Sequence, residues 1–212
     1  AKAYLKQYES FQANPIYLDS AFRFLQLTDN NFTAYIQYYY LRNDEKGLIN
    51  FVLSTPLDTS KYNSSDLAMS YSRMGEVFVS QNLSNDAEVY FEKSVILMPY
   101  VIDYKTKYGS FLINNKRLEE AKFIFNSALS LNPTIKEVHL NLGYISLLEH
   151  NFEKADLYLK QALALDPDYV LAYENLVLLA QMQNKIEQAK VYLNKILEIA
   201  PAHKAKEILQ KL

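Results

Sequence analysis

Three histidines, His139, His150 and His203, are the side chains of this 212-residue chain best suited to metal ligation or proton transfer. His139 and His150 fall on either side of an expected helix end, and neither sits in a carboxylate cluster on one helix, so no metal site is expected. Cysteine is absent, which removes disulfides, thiolate ligands and a cysteine nucleophile. Only four glycines occur, too few and too scattered for a phosphate-cradling loop. Paired carboxylates such as Glu119 and Glu120 read as a solvated helix start near the positive end of the helix dipole, not as an acid–base pair. Neither catalysis nor a cofactor is expected. One column of side chains still points to binding chemistry: Arg73, Lys107, Asn141 and Asn175, each 34 residues from the next. An asparagine amide offers both a donor and an acceptor, so a row of them suits pairing with the backbone of an extended peptide.

The elements that would position this column share its period. Apolar helix-like runs are closed by Pro99, Pro133, Pro167 and Pro201, again 34 residues apart. A fixed period of this size is the signature of a repeat architecture. Aligned as units 68–101, 102–135, 136–169 and 170–203, the chain has alanine at the twentieth slot every time: Ala87, Ala121, Ala155 and Ala189. The eighth slot holds Gly75, Gly109, Gly143 and Val177, and the twenty-fourth Phe91, Phe125, Leu159 and Leu193. Each unit reads as two amphipathic helices, such as 136–149 and 151–165, joined by a polar turn at His150 and Asn151. Small residues at slots eight and twenty let the helices approach, the slot-twenty-four side chain fills the wedge toward the neighbouring unit, and proline stops the second helix. No unit buries its apolar face alone, so the units must stack.

This pattern resembles the tetratricopeptide repeat family over about two thirds of the chain. The resemblance implies an all-α fold, a right-handed α-solenoid of helix-turn-helix repeats, and a non-catalytic scaffold that holds a peptide or protein segment on its concave face. In such arrays the concave face is lined by slots two, five, six, nine, twelve and thirteen of the first helix. Units 68–101 and 102–135 place mostly polar residues there, including Ser72, Arg73, Glu76, Asp103, Thr106 and Lys107. The third unit supplies Glu137, Leu140, Asn141, Tyr144, Leu147 and Leu148, and the fourth Leu171, Glu174, Asn175, Leu178, Gln181 and Met182. The resemblance therefore implies a peptide-binding face of Arg73, Lys107, Asn141 and Asn175 with Leu140, Tyr144, Leu178 and Met182. Leu140, Leu147, Leu171 and Leu178 are alternatively packing residues between adjacent first helices. Family members that grip the acidic tails of heat-shock chaperones use a lysine and an asparagine in one unit, an asparagine in the next, and a lysine and an arginine in the third; with Asn141 as the middle asparagine this chain has Thr106 and Ser110 before it and Leu171 and Asn175 after it, so that clamp is not expected.

Residues 1–67 leave the period but still read as helices. Tyr4, Tyr8 and Phe11 share a face, as do Leu18, Ala21, Phe22 and Leu25, then Phe32, Tyr35, Ile36 and Tyr39, then Leu48, Phe51 and Val52. Two degenerate helix pairs are expected there, either extending the array or folding into its groove, with Tyr38, Tyr39 and Tyr40 as packing residues. The polar stretch 54–66 reads as the most mobile connection. Residues 204–212 read as an amphipathic capping helix, with Ala205, Ile208 and Leu212 on one side.

Half of the residues are apolar, and 22 basic against 24 acidic residues leave a net charge of −2. That balance gives no global attraction to nucleic acid, and lysine and arginine form no stripe along one face. Apolar runs such as 176–180 fall far short of the roughly 20 residues that span a bilayer, so no direct membrane insertion is expected. A start at Ala1 without methionine is expected of an excised domain or a processed form. Alternatives to a peptide scaffold are a structural or regulatory appendage of a larger enzyme or membrane-anchored assembly, or a homodimer that uses the groove. The compartment, cytoplasmic or periplasmic, is open.

Overall fold

In the computed structural model the described residues are Ser20, 32–55, 57–202 and 204–211. They form eleven α-helices and one 3-10 turn, with no strand among them. In chain order these are α1 (Phe32–Leu41), α2 (Glu45–Ser54), the 3-10 turn Thr59–Lys61, α3 (Ser64–Ser80), α4 (Ser84–Leu97), α5 (Ile102–Asn114), α6 (Leu118–Leu131), α7 (Lys136–Leu148), α8 (Phe152–Leu165), α9 (Val170–Met182), α10 (Ile186–Ile199) and α11 (Ala205–Leu209). The chain divides into two compact units, one ending at Tyr108 and the other beginning at Gly109, so the boundary falls inside α5. No shift in composition marks it. The helical faces expected around Tyr4 and around Leu18, as well as His203 and Leu212, lie outside the described residues.

Each helix pair turns in the same way. Asn43, Asn82, Lys116, His150 and Asn184 all adopt the left-handed conformation, with φ between 56° and 62°. In each turn the next amide reaches back five residues to close the preceding helix, as in Leu83 N–H to the Phe78 carbonyl at 2.9 Å and Asn151 N–H to the Ser146 carbonyl at 2.8 Å. This Schellman closure satisfies carbonyls that a bare helix end leaves orphaned, and here it is built without glycine. The pair α1–α2 carries the same closure, Asp44 N–H to the Tyr39 carbonyl at 3.0 Å, although its sequence had left the 34-residue period. The second helices α4, α6, α8 and α10 stop two residues before their prolines, at Leu97, Leu131, Leu165 and Ile199. All four caps leave the helical region, with Asn132 and Asp166 extended at φ −148° and −144°, because the proline ring disfavours the helical conformation in the residue before it.

In the first unit α1 and α2 pack through aromatic rings, with Phe51 lying 4.8 Å from Tyr35 and 5.5 Å from Phe32. Ile36 and Leu48, both fully buried, stand where the regular units have small residues at slots eight and twenty. The stretch 54–66 is more structured than its polarity predicts. Asp58 caps the 3-10 turn, and the Tyr62 hydroxyl accepts the Phe32 amide at 2.9 Å.

In the second unit Ala121, Ala155 and Ala189 are fully buried at the contact within each pair. The slot-eight glycines make room for a side chain rather than for a bare backbone. A Cβ on Gly109 would lie 2.5 Å from the Phe125 ring, and one on Gly143 would lie 2.9 Å from Leu159. Helix α11 closes the end. Ala205 is fully buried in a cluster with Val177, Ala180, Ala189, Leu193 and Ile196, and Ile208 and Leu209 pack against it.

Candidate functional site

The four members of the slot-six column have different surroundings. In the first unit Lys107 lies 2.8 Å from Glu76 and 3.4 Å from Asp103. Glu76 accepts the Tyr40 hydroxyl at 2.9 Å, and the Arg73 guanidinium sits over the Tyr40 ring at 5.0 Å. Three helices, α1, α3 and α5, are thereby tied by one polar network. Burial, followed by the Glu76 carboxylate, pushes the Tyr40 hydroxyl above its ordinary range. For Lys107 burial opposes the charge, but the bond to Glu76 and the charges of Glu76 and Asp103 prevail and raise it. Arg73 and Lys107, expected to face a ligand, are half-buried and already contact Tyr40, Glu76 and Asp103, and Ser72 of the same face is buried.

In the second unit Asn141 on α7 and Asn175 on α9 are half-buried, and neither amide has a hydrogen-bond partner among the described residues. The apolar residues around them divide into floor and rim. Leu147 is fully buried, while Leu140, Tyr144 and Met182 pack against the cluster of Leu147, Ala155, Leu159, Leu176 and Leu179. Leu171 and Leu178 remain exposed at 49% and 38%. Of the leucines offered as interhelix packing, Leu147 is core and Leu171 and Leu178 are surface. Beside Leu178 a cleft of about 180 Å³ opens between α9 and α11, lined by Val177, Leu193, Ile196 and Ile208. The Lys204–Glu174 ion pair at 3.0 Å borders it.

The residues weighed for catalysis serve local structure. His139 is buried with its Nε2 2.8 Å from the Pro133 carbonyl, and His150 occupies the left-handed turn position, edge-on to Phe152 at 5.9 Å. Glu119 is 2.6 Å from Lys122 and Glu120 is 2.6 Å from Arg117. The Arg117 hydrogen bond draws the Glu120 carboxyl below its ordinary range, the opposite of what a general acid requires. Among the described residues no group of three or more histidine or acidic side chains could share a metal ion. No described helix is long and apolar enough to cross a membrane.

One feature escaped sequence reasoning. The left-handed column Asn82, Lys116, His150 and Asn184 keeps the 34-residue spacing, but its residue types vary because the turn constrains φ rather than chemistry.

Comparison with known proteins agrees with this architecture. Residues 102–135, 136–169 and 170–203 each match the tetratricopeptide repeat family. No curated protein sequence matches the chain. Among solved structures it is similar to PilF of Pseudomonas aeruginosa, at 16% identity and a TM-score of 0.70 over 99% of this chain and 92% of that one. YrrB, a TPR protein with an unusual peptide-binding site, aligns at 19% identity and a TM-score of 0.63 over 92% of this chain and all of its own. MamA aligns at 19% identity and 0.63, over 84% of this chain and 97% of its own. The helix pairs, their shared turn and the three matched repeats identify residues 102–203 as a run of tetratricopeptide repeats.

Proposed function

We propose that the protein is a non-catalytic interaction scaffold whose second unit holds an extended peptide across α7 and α9. The observation that carries this reading is the pair Asn141 and Asn175, equivalent amides one repeat apart, half-buried and without a partner among the described residues. A polar side chain held beside apolar walls gains most from a ligand that supplies both donor and acceptor, and a peptide backbone does so at every residue. Leu140, Tyr144 and Met182 provide the apolar floor, Leu178 the edge, and the cleft of about 180 Å³ beside it has room for one apolar side chain. Arg73 and Lys107 enter this reading as framework, because their charges already have partners. YrrB, a protein of similar fold, also has a peptide-binding site, which supports the peptide-binding class of the reading.

The test is a screen of a displayed peptide library followed by calorimetry on the selected sequence. Asn141→Ala together with Asn175→Ala should weaken that peptide by about 10-fold or more, at roughly 1 kcal/mol for each hydrogen bond lost, without changing the melting midpoint. Unchanged affinity in the double variant removes the site assignment.

A further inference from the structure

The outward side of the second helices is apolar at a position where an amphipathic helix carries charge. Slot twenty-two holds Val89, Phe123, Leu157 and Val191, spaced by the same 34 residues, and all four are exposed. In the second unit Phe123 on α6, Leu157 on α8 and Val191 on α10 are 74%, 55% and 64% exposed, while slots twenty, twenty-four and twenty-seven of the same helices are all buried. The core therefore has no use for this row. One helical turn toward the N-terminal side of it lie the acids of slot eighteen, Glu119, Glu153 and Glu187. One turn toward the C-terminal side lie Asn126, Lys160 and Lys195. Residues 109–212 contain twelve basic and twelve acidic residues, so the second unit has no net formal charge.

We propose that this face is a self-association surface, on which two copies of the chain pack second helix against second helix, antiparallel, about a two-fold axis running along the apolar row. A second copy presents the same row at the same spacing by construction, which makes the face self-complementary. About this axis slot twenty-two meets slot twenty-two, and slot eighteen meets the residues one turn beyond it. Glu153 then faces Lys160 of the other copy, Glu187 faces Lys195, and Glu119 faces Asn126. An axis parallel to the helices would instead set each glutamate against its own counterpart. Glu153 has no ion pair among the described residues. Lys160 and Lys195 keep Asp156 and Glu198 of their own helices at 2.7 and 2.9 Å, yet an ammonium has three donors and serves a second carboxylate. Exposed pairs of this kind contribute little, so charge sets the orientation and the apolar row supplies the contact. A neutral unit raises no repulsion between copies and no field that would attract nucleic acid or an anionic membrane. Three helices of 14 residues, each about 21 Å long and roughly 10 Å across, present on the order of 600 Å² per copy, or about 1,200 Å² in the pair. That is the lower limit of a specific interface, so the dimer is reversible. The Asn141 and Asn175 face takes no part in it.

The experiment is sedimentation equilibrium of the full chain from about 10 μM to about 1 mM, a range suited to weak association. The weight-average mass should rise from that of one chain toward that of two. Leu157→Glu should keep the chain monomeric throughout, with an unchanged circular dichroism spectrum because Leu157 lies outside the core. Glu153→Lys and Lys160→Glu should each weaken the dimer at least about tenfold, since two-fold symmetry repeats the like-charge contact. Combined, they restore opposite charges across the interface and should bring the affinity back to within about threefold of the parent. The proposal is overturned if the mass stays that of one chain, if it grows beyond two, if Leu157→Glu associates as before, or if the double variant is no tighter than the single ones. Asn141→Ala with Asn175→Ala should dimerise like the parent; loss of the dimer there would put self-association in the groove and overturn the proposal.

Discussion

Gly109 shows why a residue that weakens a helix persists in one. Glycine in a helix interior costs up to about 1 kcal/mol relative to alanine, yet a Cβ here would lie 2.5 Å from the fully buried Phe125 ring. Gly109→Ala should therefore destabilise the protein by about 1–3 kcal/mol despite the better helix propensity. Adding Phe125→Leu should recover part of that loss, since Val177 with Leu193 shows the same pair of slots packed with a larger first residue and a smaller second. Urea denaturation of the single and double variants measures both terms; equal stability of Gly109→Ala and the parent would refute the packing argument. The regularity of this column was readable in the sequence. That the space belongs to a ring rather than to the partner backbone was not, because spacing reports neighbours on one helix and not the object they face.

At the scale of the element, the polar network across α1, α3 and α5 makes the first unit sensitive to alkali. Tyr40 is raised by burial and by Glu76, and Tyr71 and Tyr90 are raised chiefly by burial. A folded-state pKa above the unfolded value means that the folded chain holds its proton longer, so this stability is present below the unfolded pKa and is lost as pH rises through the folded one. Lys107, also raised, contributes with the same sign. The thermal midpoint should fall as pH is raised from about 9 to about 11, the range in which unfolded tyrosine and lysine titrate. Tyr40→Phe should flatten that fall and lower the midpoint at neutral pH through loss of the bond to Glu76. A midpoint independent of pH across this range would show that the network does not couple to folding.

For the whole molecule, a stack of repeats is stable only where its last apolar face is covered, and α11 covers it with Ala205, Ile208 and Leu209. Removing residues 204–212 should lower the thermal midpoint and promote self-association, measured by light scattering. An unchanged midpoint in a monomeric truncation would deny α11 its capping role. Truncation also removes Lys204 and Ile208 from the cleft beside Leu178, so affinity for a selected peptide should fall with it.

The period of 34, the helix pairs and their proline stops were legible in the residues alone, because backbone geometry acts locally: a proline excludes the preceding helical conformation wherever it occurs, and an apolar stripe must be covered. The pair α1–α2 was legible as a degenerate helix pair, but not its register against the regular units, since Ile36 and Leu48 replace the small residues that mark slots eight and twenty. What only tertiary structure decided is which polar side chains are engaged. Arg73, Lys107, Asn141 and Asn175 occupy one column of the sequence, yet the first lies over the Tyr40 ring and the second pairs with Glu76 and Asp103, while the asparagine amides have no such partner. Lys122 and Asp156 likewise share a slot, yet Lys122 reaches across to Glu149 and Asp156 pairs with Lys160 of its own helix. Charge pairing and burial are properties of distances between segments, and a one-dimensional pattern does not contain those distances.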